Sequence, residues 1–275
     1  MTEIDECRAR PLTPPSDEIN IWIAHHDRRM SPAALARCRD VLSDHEAEQE
    51  RHFRSPGDRH AYLVTRATQR EILSRYTGTD PRTLRFVKNE FGRPSLHDAH
   101  GCEDLDFNIS HDGNVTILGL ARGCRVGLDV AAVHNRQSFM NVARRFFCPA
   151  EVEALEALPV DRRNDRFLEY WTLKEAYIKA RGGGLSISLN TFAFSLEEEG
   201  GVTFLEHGSQ AQSQVSSWRF WTFRPKPEII IALCAAQETT PVTRVLLHEI
   251  QPFDGEISLA TLPCRIPSDR AASRP

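Results

Sequence analysis

Helical stretches followed by a run of short strands occur twice in this chain, once on either side of about residue 124, and this order restricts the fold more than any other feature. In the first pass, residues 19–24 alternate apolar side chains like a strand. Residues 31–52 then read as a helix, with Ser31-Pro32 as N-cap and first helical position, and a second helix over about 58–76 stops before Gly78. Beyond Pro81 the apolar period shortens, giving short strands at 84–87, 107–109, 115–120 and 126–130, separated by Gly and Asp turns. In the second pass, helices over about 138–147, 150–158 and 165–181 precede strands at 189–196, 201–205, 217–223 and 229–235. Gly182-Gly183-Gly184 ends the last of those helices. The expectation is an α+β protein of two similar halves, each with helices on a mainly antiparallel sheet. The halves share no strong sequence repeat, so it rests on element order.

Residues 1–18 are polar and Pro-rich, and 261–275 lack periodicity, so both read as flexible tails. They flank an N-terminal half over 19–123 and a C-terminal half over 124–260, which carries the candidate metal and catalytic motifs. A net charge of −4 gives no global attraction to nucleic acid or to an anionic membrane. The N-terminus lacks a basic start and an apolar run, and the longest apolar stretch, 229–236, is too short to cross a bilayer. Seven cysteines with no CxxC pair and no zinc-ligand spacing fit reduced thiols in a cytoplasmic protein.

Lysine is scarce: four of 34 basic residues, at Lys88, Lys174, Lys179 and Lys226. Two of the four flank Glu175 in Trp171-Thr172-Leu173-Lys174-Glu175-Ala176-Tyr177-Ile178-Lys179. An ammonium is a compact point charge whose proton moves with its surroundings, unlike guanidinium, so this placement points to chemistry. On a helix Glu175 and Lys179 share a face, with Trp171 one turn earlier. An exposed pair of this kind adds about 0.2–0.5 kcal/mol, but the neighbouring Trp171, Tyr177 and Ile178 predict a largely buried helix. There a bare carboxylate and ammonium are costly without partners such as a metal and phosphates. Asp129, at a strand end, and Glu175 can together hold one Mg²⁺, which takes one or two carboxylates and completes its shell with phosphate oxygens and water. Taken singly, Gly92-Arg93-Pro94, Asn108-Ile109-Ser110-His111 and Gly127-Leu128-Asp129 are ordinary turns and strand ends.

Taken together and in order, these segments resemble the 4′-phosphopantetheinyl transferases of the long, pseudodimeric type that activates peptide and polyketide synthases and acyl carrier proteins. The resemblance is carried by Gly92-Arg93-Pro94, Phe107-Asn108-Ile109-Ser110-His111, Gly127-Leu128-Asp129, Arg145-Phe146-Phe147 with Glu151, and Trp171 to Lys179 with Gly184-Leu185. It implies a pseudo-twofold fold with the active site in the cleft between the halves. It also implies a Mg²⁺-dependent transfer of phosphopantetheine from coenzyme A to a serine of an apo carrier protein, releasing adenosine 3′,5′-bisphosphate. Asp129 and Glu175 would be metal ligands, and Lys179 would neutralise or protonate the departing phosphate. Arg93, Ser110 and His111 would bind the nucleotide end, Arg54 or Arg59 would lie near the 3′-phosphate, and Lys174 would anchor phosphates. The general base is left open among Glu175, Glu151 and a metal-bound water held by Asp112. Many bacterial members have Asp-x-Glu where this chain runs Asp129-Val130-Ala131. Some active members that lack the third carboxylate, animal ones included, fill its place with water held by the residue after the His, here Asp112. The competing reading is a protein that binds CoA or carrier without transfer. A fold that supplies both sides of its own cleft is expected to be monomeric.

Overall fold

The computed structural model describes residues 12–133, 139–197, 201–206, 218–236 and 241–260. Most of both expected tails, with Cys7 and Cys264, therefore lies outside the described residues. Residues 12–17 are described, and Leu12 N–H donates to the Arg75 carbonyl at 2.7 Å, so this part of the expected tail is held against the body.

Strand β1 (Glu18–His25) is buried along its whole length. It lies at the centre of a five-stranded sheet, because it pairs antiparallel with β5 (Val115–Arg122) and parallel with β11 (Arg244–Gln251). The remaining strands of that sheet are β4 (Leu105–Asp112), outside β5, and β12 (Gly255–Ala260), outside β11. Strand β11 is absent from the sequence expectation. It lies in the stretch assigned to the second half, yet it completes the sheet of the first.

Residues 31–52, expected as one helix, form two: α1 (Pro32–Asp40) and α2 (Asp44–His52). The division follows from a capping box. Ser43 Oγ accepts from the Glu46 N–H at 3.3 Å, and Glu46 Oε2 accepts from the Ser43 N–H at 2.9 Å, which starts a new helix where one was to continue. Helix α3 (Pro56–Thr77) ends at Gly78, whose φ of 68° suits a residue without Cβ. A hairpin of β2 (Phe86–Lys88) and β3 (Pro94–Leu96) leads into β4.

Strand β6 (Val126–Ala132) opens the second region and forms a three-stranded sheet, β6–β10–β9, with β9 (Trp218–Lys226) and β10 (Ile229–Ala236). Between them come α4 (Phe139–Phe146), α5 (Pro149–Ala157), α6 (Val160–Arg181) and the hairpin of β7 (Phe192–Leu196) with β8 (Val202–Glu206).

The two larger sheets meet edge to edge, β4 against β6, through side chains. Asp106 Oδ2 accepts from the Val126 N–H at 2.7 Å, Asn108 Oδ1 from the Leu128 N–H at 2.8 Å, and Asp112 Oδ2 from the Ala132 N–H at 2.9 Å. Alternate side chains of one edge strand thus satisfy alternate N–H groups of the other, which would otherwise be open to unwanted pairing. One hydrophobic cluster spans both sheets, with Ile19, Ile21 and Ile117 on one side and Leu128, Ile231 and Leu233 on the other.

Candidate active site

The side-chain ladder breaks its pattern at Ser110. Where a bond to the β6 backbone would continue the series, Ser110 Oγ instead donates to Asp129 Oδ1 at 2.8 Å. Lys179 Nζ closes a triangle, 2.7 Å from Ser110 Oγ and 2.7 Å from Asp129 Oδ1. Gly127 makes this meeting possible: a Cβ there would collide with the Ala176 carbonyl oxygen and the Ala180 nitrogen, so only glycine lets α6 lie directly on β6. Asp129, two residues on, then points from the strand to the helix face that carries Glu175 and Lys179 one turn apart.

Asp129 is 7% exposed. Burial raises the Glu175 pKa above the ordinary carboxylate value and the neighbouring Asp129 charge adds to this, while Lys179 acts in the opposite direction. His111 is held below the usual imidazole value by loss of solvation and by Lys179 and Arg66, against the pull of Asp112 and Asp129. Two carboxylates that feel one another across a helix–strand contact are a hard oxygen donor set, incomplete by itself, and suit a cation that draws its other ligands from phosphate and water. Among the described residues no group of three or more His, Cys, Asp and Glu side chains could hold a metal ion.

Beside the triangle lies a pocket of about 260 Å³ that gathers three of the sequence motifs: Phe91 to Pro94, Asn108-Ile109, and Glu175, Ile178 and Lys179, closed by Gly182 and Gly184. Asn89 shapes its rim, accepting from the Phe91 and Arg93 N–H groups and donating to the Gly182 carbonyl at 2.8 Å. Two larger concavities of about 710 Å³ lie elsewhere, one beside the N-terminal part of α6 and one between α2, α3 and the β2–β3 hairpin. Neither is lined by Asp129 or Glu175, so chemistry and not size selects the smaller pocket.

Several sequence expectations need correction. Lys174, expected to anchor phosphates, is completely buried; its Nζ donates to Glu151 Oε2 at 2.8 Å and to the carbonyls of Leu189 and Phe192. All three donors are used inside the core, within a cage of Phe147, Phe192 and Phe194 rings. Glu151, a candidate general base, is 1% exposed and also accepts from the Cys148 and Phe194 N–H groups, so it has no route to a substrate hydroxyl. Arg93 lines the pocket, but its guanidinium is committed to the protein. It donates to the Lys179 carbonyl, to Asp106 Oδ2 at 2.6 Å and to the Val126 carbonyl at 2.9 Å, joining β3, β4, β6 and the end of α6. Arg54 and Arg59 sit at the exposed junction of α2 and α3, Arg59 pairing with Glu50 at 3.0 Å; neither lines the pocket. Both Asp112 oxygens accept backbone N–H groups, from Gly113 and Ala132. Ser110, Asp129 and Lys179 are brought into contact, and Glu175 and His111 lie near enough to feel the charges of Asp129 and Lys179.

Sequence reasoning missed Asp106 and Asn89. Asp106 carries a faint signal, since it continues the 106–108–110–112 run of short polar side chains on alternate positions.

The family model of the 4′-phosphopantetheinyl transferase superfamily matches residues 125–234, and that of the 4′-phosphopantetheinyl transferase N-terminal domain matches 29–121. The Synechocystis sp. protein slr0495 is 30% identical over 253 residues, 88% of this chain and 98% of its own. Sfp of Bacillus subtilis is 29% identical over 84% of this chain and all of its own length, and HetI of Nostoc sp. 33% identical over 64% and 73%. The chain belongs to the 4′-phosphopantetheinyl transferase family, as a long member of the Sfp type, and is a transferase enzyme.

Proposed function

We propose that this enzyme transfers the 4′-phosphopantetheine group of coenzyme A to a serine of an apo carrier protein, in a cleft between two α+β halves related by a pseudo-twofold and divided near residue 124. The observation that supports this most directly is the Ser110–Asp129–Lys179 triangle, with Glu175 beside it, at the mouth of a pocket built from the Gly-Arg-Pro and Asn-Ile-Ser segments. Asp129 and Glu175 would hold Mg²⁺, which when bound offsets the charge of the diphosphate. Ser110 and His111 would meet the nucleotide end, and the pocket walls Phe91 and Ile109 would shield the base from water.

In the transfer, the serine oxygen attacks the β-phosphorus, the bond to the bridging oxygen breaks, and adenosine 3′,5′-bisphosphate leaves. Lys179 faces the charge that develops on the leaving phosphate, where a fixed cation acts mainly in the transition state. The serine proton would pass to Glu175 or to a water held on the metal, the two routes this site leaves open. A chain that supplies both sides of its own cleft needs no partner subunit, so the reading includes a monomer. The test is incubation with CoA, Mg²⁺ and an apo carrier protein, read by intact mass. A gain of one phosphopantetheine on the carrier serine is expected, and an unchanged carrier mass with CoA bound would leave a binding protein instead.

A further inference from the structure

The triangle holds an imbalance of charge. Asp129 accepts from both Ser110 and Lys179, whereas Glu175, on the same helix face as Lys179, has no ion pair among the described residues. Among the described residues, two further cations near the site are engaged elsewhere: Arg93 with Asp106, and Arg66 with Gln69 at 2.9 Å and over the Tyr62 ring. Among these residues one ammonium therefore serves two carboxylates. Its side chain is 27% exposed and lines the pocket, so it has room to turn.

We propose that Lys179 is the built-in counter-ion of the Asp129–Glu175 pair, and that a divalent cation must displace its ammonium from Asp129, which frees it to face the phosphates in the pocket. The inference rests on the reading of those carboxylates as the metal site. Two carboxylates brought together in a partly dry site repel one another, and a tethered ammonium relieves that repulsion during folding and between turnovers. The cost is weaker metal binding to the free protein, because the ion must expel a cation already paired at 2.7 Å. The gain is order: Lys179 becomes available to a leaving phosphate once Asp129 has been taken from it, so metal loading and cation delivery are a single event.

The experiment measures Mn²⁺ binding to the CoA-free protein by electron paramagnetic resonance. Lys179→Met should bind Mn²⁺ about tenfold more tightly than wild type, a modest share of what losing an adjacent unit charge gives at a partly solvated site. Lys179→Arg, which keeps the charge, should stay within about twofold of wild type by the same reasoning. With ¹⁵N-lysine labelling, four side-chain signals are expected, and Mg²⁺ should shift the Lys179 signal while leaving that of the buried Lys174 in place. Equal Mn²⁺ affinity in Lys179→Met and wild type, with binding still abolished by Asp129→Asn, would overturn the displacement and leave the metal site standing. Binding that survives both Asp129→Asn and Glu175→Gln would overturn the metal site and the displacement together.

Discussion

Lys174 and Lys179 stand five residues apart on α6, each beside a carboxylate, and they do opposite things. Lys174 reaches Glu151 in a fully enclosed cage with every donor satisfied, whereas Lys179 reaches Asp129 at the rim of a pocket with part of its surface open. A step of five residues turns a helix by about 140°, so two like residues on one segment face different surroundings. In the core a charge is kept only if paired and fully hydrogen-bonded. At the site the pairing is incomplete, and an incompletely paired charge can change partners. The same contrast separates Glu151, which accepts backbone N–H groups and an ammonium, from Glu175, which has no ion pair among the described residues.

The comparison breaks most readily at the carboxylates of the site. Asp129→Asn and Glu175→Gln should each lower carrier modification by about 10³-fold, the scale of losing a preorganised electrostatic contact in a transition state, with the thermal unfolding midpoint little changed. Steady-state rates with CoA and apo carrier check this, and an active Glu175→Gln enzyme would remove Glu175 from the chemistry. Next in size is the exchange of roles between the lysines. Lys174→Ala strands Glu151 in the core and should cost about 3–5 kcal/mol of stability, while Lys179→Ala, which removes a part-exposed ammonium, should cost less and yet slow turnover. Urea unfolding beside kinetics separates the two.

Asp112 tests whether a carboxylate near the site belongs to the core type or the site type. Its oxygens are bound to Gly113 and Ala132, so Asp112→Ala should lower stability by about 1 kcal/mol, the scale of hydrogen bonds lost at a part-buried seam, without changing the Mg²⁺ concentration for half-maximal rate. A shifted metal requirement would restore Asp112 to the role expected where Ala131 replaces a third carboxylate.

The smallest effect concerns a group kept neutral instead of paired. Burial, helped by His111 and His60, lowers the His26 pKa from 6.5 to about 4, and its Nε2 shares a hydrogen bond with Thr116 at 2.8 Å. Between those values the unfolded chain binds the extra proton, so the stability this neutral ring contributes is present above pH 6.5 and is lost as pH falls toward 4. His26→Gln should flatten that part of the curve of unfolding midpoint against pH, and an unchanged slope would assign the acid sensitivity to other groups.

Much of this protein is set by local sequence. The 22-residue helices α3 and α6 were legible because apolar spacing and glycine stops act within a few residues, and Gly127-x-Asp129 with Glu175 and Lys179 marked the site because its chemistry needs those side chains. The split of α1 from α2 was also written locally, in Ser43 and Glu46. What only the tertiary structure decided is which of two lysines faces the core, that Arg93 spends its donors on carbonyls and Asp106, and that residues 244–251 return to pair with β1. α6 is buried around most of its circumference, so hydrophobic periodicity cannot rank its faces, and a strand pairing more than 200 residues apart has no local signature.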